Sequence, residues 1–147
     1  MAQDLRSFLD LVKRRKPGDF EIVSRPVDPR YELTALVVKL EREAKRRPVL
    51  LFENVKGSKF PVLTNLHASR PRLAAAMNVP PEETQTTYLR AMEKPVAPKV
   101  VASGPVQEVV LRGDKINLYD LPQIIHHEGD AGAYITAAIS FARDPSR

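Results

Sequence analysis

The spacing of apolar residues changes at Pro95 and Pro98, and this change constrains the fold more than any other feature of the chain. Before these prolines, apolar side chains recur every three or four residues, which indicates amphipathic helices, between short apolar runs. After them, apolar and polar residues alternate, which indicates β-strands. The sequence therefore predicts an α/β domain over residues 1–94, a linker over residues 95–98 and β structure over residues 99–147.

Helices in the first unit are predicted from apolar stripes and from the residues that flank them. The first stripe begins at Leu5 and keeps helical spacing until a Pro-Gly pair ends it. The second helix is predicted to begin with Asp28 as N-cap and Pro29 as the first helical residue. Ser69 is predicted to cap a third helix, and a further short helix carries Tyr88.

Strands are predicted on both sides of the two prolines. Phe20–Val23 and residues 60–64 fit short strands, and a proline in the second one indicates an edge or strand-start position. Val49–Phe52 is a continuous apolar run, which is typical of a strand buried on both faces. After the prolines, residues 106–111 are predicted to form a strand, and residues 134–141 show the clearest alternation in the chain.

Composition and charge exclude or disfavour several classes of function. The chain has no cysteine, so disulfides, thiolate catalysis and cysteine-ligated zinc are excluded. No apolar run approaches the ~18 residues that a membrane helix needs, so we expect no membrane span and a cytoplasmic location. The net charge of +5 raises the alternative of a nucleic-acid-binding module. The basic runs, however, close the first two predicted helices and lack interleaved aromatic residues, so no nucleic-acid partner is expected.

Residues 126–130, His-His-Glu-Gly-Asp, form the segment richest in metal-ligand types. Adjacent residues of an extended chain point to opposite sides, so the two histidines would not easily share one metal. We interpret the segment as a polar loop that caps backbone groups, with one histidine able to line a pocket. His67 has no identified partner and is predicted to be structural. No metal ligand is therefore predicted.

One face of the predicted strand over residues 134–141 carries small groups at Thr136, Ala138 and Ser140. Small side chains let a ligand or another backbone approach closely, although a covering sheet layer is the alternative that spacing alone favours. The sequence contains no glycine-rich phosphate loop, no G-x-S-x-G and no H-E-x-x-H. Residue spacing alone thus indicates an α/β domain without a complete active site, and it assigns no catalytic residue.

The chain contains six further segments in this order: Asp4-Leu5-Arg6-Ser7-Phe8-Leu9, Val27-Asp28-Pro29, Leu50-Leu51-Phe52-Glu53-Asn54-Val55-Lys56-Gly57, Pro61-Val62-Leu63-Thr64-Asn65-Leu66, Asp120-Leu121-Pro122 and the run from His126 to Thr136. In their order and spacing these segments resemble the UbiD family of prenylated-flavin (de)carboxylases. The resemblance implies an N-terminal α/β domain followed by the first strands of a split β-barrel that binds the flavin. Thr136 and Ala137 would then form one wall of the cofactor pocket.

The resemblance also implies a chemistry and a set of partners. Enzymes of this family use prenylated FMN with manganese and potassium ions to decarboxylate an aromatic or α,β-unsaturated acid, and a homo-oligomer is expected. Their metal and phosphate ligands and their Glu-Arg-Glu catalytic set follow the segments matched here, so none is carried over. The chain is therefore expected to be a truncated N-terminal part that is inactive and cofactor-free on its own. An alternative is a natural short accessory subunit that completes its site with a partner.

Overall fold

The computed structural model of the chain describes residues 4–138 and 144. Four helices and three strands occur in this part, and single 3₁₀ turns lie at Pro81–Glu83, Pro105–Gln107, Gly113–Lys115 and Leu118–Asp120. In chain order the elements are α1 (Leu5–Arg15), β1 (Phe20–Val23), α2 (Glu32–Arg42), β2 (Val49–Phe52), β3 (Val62–Thr64), α3 (Arg70–Met77) and α4 (Thr84–Glu93). The predicted α/β fold is confirmed.

The three strands form one sheet in the order β1-β2-β3. β1 pairs with β2 in parallel, with Phe20 opposite Val49, and β2 pairs with β3 antiparallel, with Phe52 opposite Val62. The central strand is β2, in which Val49, Leu50 and Phe52 are at most 1% exposed. This confirms the strand predicted to be buried on both faces. β3 lies at an edge of the sheet and begins directly after Pro61, in agreement with the predicted edge or strand-start position.

Helices cover both faces of the sheet. Successive side chains of β2 point to opposite faces, so they pack against different helices. On one face, Leu50 and Phe52 join a core with Leu33 of α2. On the other face, Val49 packs in a second core with Phe8 of α1 and with Ala75 of α3. Each fully buried aliphatic or aromatic side chain contributes about 1.5–3 kcal/mol, so these two cores hold the helices to the sheet.

The second helix begins later than Asp28-Pro29, so that part of the prediction is wrong. α2 begins at Glu32, after Tyr31, whose backbone has φ of 69°. The Asp28 carboxylate caps the backbone N–H of Arg30 at 2.8 Å, which forms a local turn in place of a helix start. The chain then pairs with a distant segment, since Tyr31 N donates to Ile125 O at 2.8 Å. A long-range pairing therefore overrides the local helix-start signal.

The strands predicted after residue 99 are absent from the part of the chain that the structure describes. Residues 106–111 lie in a 3₁₀ turn and irregular chain, and residues 134–138 contain a turn; residues 139–141 lie outside the described residues. A segment with alternating apolar residues forms a strand only where a neighbouring strand pairs with its backbone N–H and C=O groups. None of the described strands pairs with these segments. Their apolar side chains remain exposed, as at Val106, which is 89% exposed.

No helix within residues 4–138 has both the length and the apolar character that crossing a bilayer requires.

Candidate functional site

A cavity of about 500 Å³ lies between α2, β3 and residues 124–137. Its walls are mainly aliphatic, with Leu33 and Val37 from α2, Val62 from β3, and Ile124. None of the described residues that line it is an aspartate, glutamate, lysine or arginine. A cavity with apolar walls and a few polar groups is the usual form of a small-molecule site, so we take it as the candidate functional site.

The cavity brings together residues that are far apart in the sequence. Thr136 and Ala137, the predicted pocket-wall residues, border it together with His67 and His126. Thr136 and Ala137 lie in a turn and are exposed, so they form the rim of the cavity. Both residues therefore border this cavity, and their role as a wall of a cofactor pocket stays a prediction. The strand predicted to carry them is absent from the described part.

The polar loop predicted over residues 126–130 is present, and Asp130 organises it. One carboxylate oxygen of Asp130, Oδ2, accepts the backbone N–H groups of His126 at 2.8 Å and of His127 at 2.9 Å. Both bonds hold the pKa of Asp130 below its usual value, and the bond from His127 has the larger effect. The interpretation of this segment as a loop whose side chains cap backbone groups is confirmed.

His126 is fixed from two sides, whereas His127 is exposed to solvent. The Nδ1 atom of His126 lies 2.8 Å from Thr34 Oγ1 of α2, and the backbone N–H of His126 donates to Asp130. Its other ring nitrogen, Nε2, is buried and has no hydrogen-bond partner within the described residues. Those residues also contain no group of three or more histidine, cysteine or acidic side chains placed to hold a metal ion.

Thr64, at the end of β3, also faces this cavity. It lies on the same face of the strand as Val62, which packs in the core with Leu33 of α2. Its Oγ1 atom is buried and, like His126 Nε2, lacks a hydrogen-bond partner among the residues described. Sequence reasoning did not select Thr34 or Thr64, because a single threonine in a helix or strand gives no signal of a distant partner.

The loop that follows β3 forms another wall, and a buried arginine holds it in place. Arg72 of α3 is 3% exposed and donates to the carbonyl oxygens of Asn65 at 3.0 Å, Leu66 at 3.3 Å and Arg47 at 2.6 Å. Its Nη1 lies 2.8 Å from Asp19 Oδ2, which is an ion pair by distance, although this nitrogen makes no hydrogen bond of good geometry. Sequence reasoning missed Arg72 altogether.

His67 belongs to the same loop. Its ring stacks on that of Phe8 from α1, with 6.5 Å between the ring centroids and an angle of 27° between the planes. This contact gives the histidine a packing role, as expected from the sequence.

Most side chains of the second basic run, residues 45–47, are engaged within the fold. Arg46 forms an ion pair with Glu21 and donates to Gly18 O at 2.8 Å. Arg47 pairs with Glu41 at 2.5 Å. These contacts reduce the free positive charge that this run presents to solvent.

Two family models match consecutive parts of the chain. The 3-octaprenyl-4-hydroxybenzoate carboxy-lyase N-terminal domain matches residues 11–92, and the Rift-related domain of the same enzyme class matches residues 99–147. A protein of Synechocystis sp. is 33% identical over 98% of this chain and 33% of its own length. A protein of Aquifex aeolicus is 32% identical over 99% of this chain and 34% of its own length. The chain thus spans about a third of the length of these relatives.

Solved structures give the same relationship. An evolved dimeric form of the UbiD-class enzyme HmfF from Pelotomaculum thermopropionicum, in complex with prFMN, matches 99% of this chain and 33% of its own, with a TM-score of 0.84 and 40% identity. The closed form of vanillic acid decarboxylase from Sedimentibacter hydroxybenzoicus matches 87% of this chain and 28% of its own, with a TM-score of 0.71 and 31% identity. The chain therefore belongs to the UbiD family and corresponds to the N-terminal portion of its members.

Proposed function

We propose that this chain is the N-terminal part of a prFMN-dependent (de)carboxylase that acts on an aromatic or α,β-unsaturated carboxylic acid. The observation that carries the proposal is the 40% identity, over 99% of the chain, to HmfF in complex with prFMN. The relative that decarboxylates vanillic acid supports an aromatic acid as the substrate. When bound, prenylated flavin supplies the electron sink for loss of carbon dioxide, and the protein orients the acid against it.

The cavity beside α2 fits only an uncharged part of such a cofactor. Thr136 and Ala137 at its rim would contact the flavin through small side chains, as one wall of its pocket. A flavin phosphate needs charge-assisted hydrogen bonds, and the lining of this cavity, as far as the structure describes it, offers no charged side chain. We therefore assign to the described residues of this cavity a wall of the cofactor pocket, and no ligand of the phosphate, of manganese or of potassium.

The proposal includes an organisation of the chain. Residues 1–94 would form the α/β domain, residues 95–98 the linker, and residues 99–147 the beginning of a split β-barrel domain that binds flavin. The two family models support this division, because one ends at residue 92 and the other begins at residue 99. We further propose a homo-oligomer in the cytoplasm, and the dimeric form of HmfF supports self-association.

The experiment compares acids under one set of conditions. The protein encoded by the complete reading frame is purified, loaded with prFMN and mixed with vanillic, other benzoic, furoic and cinnamic acids, and carbon dioxide release is measured. We expect release from at least one acid that depends on prFMN and is absent with FMN. Release from none of them, by protein that retains prFMN through gel filtration, would contradict the proposed reaction.

A second candidate is an accessory subunit that completes its site with a different chain. The exposed apolar residues after the two prolines favour it, since Val100 is 92% exposed and Val106 is 89% exposed. Large exposed apolar surface indicates an interaction surface. Co-purification of the natural protein with a second polypeptide, and prFMN retention only by that complex, would favour this candidate.

A further inference from the structure

The helix α4 turns small side chains inward and large apolar side chains outward. It packs against α3 and against the 3₁₀ turn Pro81–Glu83, and Thr84 and Thr87 are its half-buried residues. Tyr88, Leu89 and Met92 are 58%, 52% and 63% exposed, and no residue of α4 is buried. A helix at the surface of a domain normally shows the opposite distribution, with its large apolar side chains facing the core.

These three apolar residues, Tyr88, Leu89 and Met92, form one surface, which we call the α4 stripe. Tyr88 and Met92 are one helical turn apart, and Leu89 precedes Met92 by three residues, so the side chains are neighbours on the helix. An isolated helix shorter than about 12 residues is marginal in water, and α4 has 10 residues. Its exposed apolar side therefore indicates a surface that a partner covers.

A groove beside the α4 stripe continues the apolar surface onto α3. The groove has a volume of about 440 Å³, and Leu73 and Met77 of α3 line it together with Pro81 and Tyr88. Contiguous exposed apolar surface marks an interaction site, whereas single exposed apolar residues are common on any protein. A partner on the α4 stripe thus has room to place a side chain in this groove.

The charges at the two ends of α4 have opposite signs. Glu82 and Glu83 precede the helix, whereas Arg90 lies in its last turn and Lys94 is its C-cap. None of these four side chains forms an ion pair within the described part of the chain. A second copy packed antiparallel on α4 brings the acidic end of each helix beside the basic end of the other. The surface is therefore complementary to itself, as a twofold interface requires.

We propose that the α4 stripe is the contact surface between two copies of this chain, whose α4 helices pack antiparallel about a twofold axis near Tyr88. Tyr88 lies midway between the acidic and the basic end of the helix. The inference rests on the self-association proposed above, whose surface it names, and does not depend on the (de)carboxylase reaction. A helix of 10 residues is about 15 Å long, so the interface is small, and we expect a dissociation constant of about 100 μM.

Leu89→Ala tests the apolar contact, and Leu5→Ala is its matched control. Both leucines are 52% exposed and lie in helices, and alanine favours the helix, so both variants are expected to fold. Sedimentation equilibrium of the purified chain, from about 10 μM to about 1 mM, measures dimerisation. We expect Leu89→Ala to weaken it about tenfold, as truncation of a central interface residue does, and Leu5→Ala to leave it unchanged.

Charge reversal tests the antiparallel arrangement. Glu82→Lys combined with Glu83→Lys makes both ends of α4 basic, and Arg90→Glu combined with Lys94→Glu makes both ends acidic. Each double variant alone should dimerise about tenfold more weakly than wild type at low salt, because like charges then meet at both ends. An equimolar mixture of the two should regain the association of wild type, since opposite charges meet again. Recovery on mixing would also show that both variants are folded.

The protein encoded by the complete reading frame distinguishes a second copy from another part of the same polypeptide as the partner. Each charge reversal alone should reduce the number of subunits per particle, and mixing the two variants should restore it. An oligomer that is unchanged by both reversals would show that the rest of the polypeptide covers the α4 stripe, which would contradict the proposal.

Three outcomes with the chain itself would also overturn the proposal. The first is a chain that stays monomeric at about 1 mM. The second is equal dimerisation of Leu89→Ala and Leu5→Ala, because α4 would then take no part in the contact. The third is a mixture of the charge-reversed variants that associates no better than either alone, because the helices would then not meet antiparallel. Carbon dioxide release is measured independently of association, so this proposal and the proposed reaction fail separately.

Discussion

Thr34 and His126 share a hydrogen bond of 2.8 Å across 92 positions of the sequence. Thr34 lies in the first turn of α2, on the α/β unit, and His126 lies in the polar loop organised by Asp130. Ile124, two residues earlier, packs against the core between α2 and the sheet. The hydrogen bond and this apolar contact together dock residues 124–137 on α2 and so form the cavity.

Thr34→Val is expected to weaken that docking. The substitution removes the hydroxyl and leaves His126 Nδ1 buried without its partner, which should reduce the free energy of unfolding by about 1 kcal/mol. Urea unfolding measures this loss, and amide exchange at residues 124–126 should become faster. Thr87→Val, a threonine substitution in the helix α4, controls for the helix propensity of valine. Equal losses in the two variants would show that the bond to His126 adds no stability.

Asp130→Asn is expected to destabilise the polar loop in a pH-dependent way. The backbone N–H groups of His127 and His126 hold the pKa of Asp130 below its usual value of 3.8 in the folded chain. Its stabilising effect is therefore fully present above that value and is lost as the pH falls through the lower pKa of the folded state. The difference in free energy of unfolding between wild type and Asp130→Asn should thus be largest near pH 7 and shrink below about pH 4.

Glu128→Gln provides the matched control, because it removes a carboxylate two residues away that caps no backbone group in the structure. Urea unfolding of both variants at pH 7 and at pH 3 gives the comparison. A difference between wild type and Asp130→Asn that is the same at both pH values would show that the two backbone hydrogen bonds do not depend on the charge of Asp130.

The sequence predicted those parts of the fold that depend on local pattern. β2 is predictable because four consecutive apolar residues are typical of a strand buried on both faces, which the structure shows. Ser69 is predicted to cap a helix, and its side chain does accept the N–H of Arg72. The start of α2 was mistaken because the backbone after Pro29 pairs with Ile125. That pairing joins distant segments, and no pattern of neighbouring residues reports it.

The candidate site was predictable only in part, for the same reason. Thr136 and Ala137 were selected from a family resemblance, and the structure places them at the rim of the cavity. Two polar atoms of residues that line it, Thr64 Oγ1 and His126 Nε2, stand out only through their burial and the absence of described partners. These are properties of the packed chain, which hydrophobic periodicity does not contain.

Arg72→Met is expected to be the most destabilising single substitution on α3. It removes a buried charge that joins Asp19 to the carbonyl oxygens of Arg47, Asn65 and Leu66. Removing one partner of a fully buried ion pair costs about 3–5 kcal/mol. The loss here should lie at or below the lower end of that range, because the Asp19 side chain keeps 18% exposure while the carbonyl groups lose their donor. Chemical unfolding measures this loss. Arg70→Met, at an exposed position of the same helix, should change the free energy of unfolding by less than about 0.5 kcal/mol.

Arg72→Lys refines this prediction. A lysine keeps the charge near Asp19, but its three donors cannot reproduce the planar fork that reaches several carbonyl oxygens at once. The loss should therefore lie between that of Arg72→Met and zero. If Arg72→Lys were as stable as wild type, the hydrogen bonds to the loop after β3 would be dispensable and only the charge would matter.

The last prediction concerns the cofactor and this 147-residue chain by itself. We expect it to bind prFMN more weakly than about 1 μM, and to release no carbon dioxide from aromatic or acrylic acids. The physical reason lies in the cavity that Thr136 and Ala137 border. Its lining within residues 4–138 contains no charged side chain, so these residues give the cofactor phosphate none of the charge-assisted hydrogen bonds on which such affinity depends.

Two relatives serve as positive controls in the same experiment. HmfF, which was solved with prFMN, should retain the cofactor through gel filtration, and vanillic acid decarboxylase should release carbon dioxide from vanillic acid. Flavin absorbance in the protein fraction and carbon dioxide in the headspace are measured for all three proteins. A stoichiometric flavin signal with this chain would mean that a phosphate site exists outside the cavity. Ala137→Leu would then show whether the cavity still contributes, because a larger side chain at the rim should lower flavin affinity only if the ring binds there.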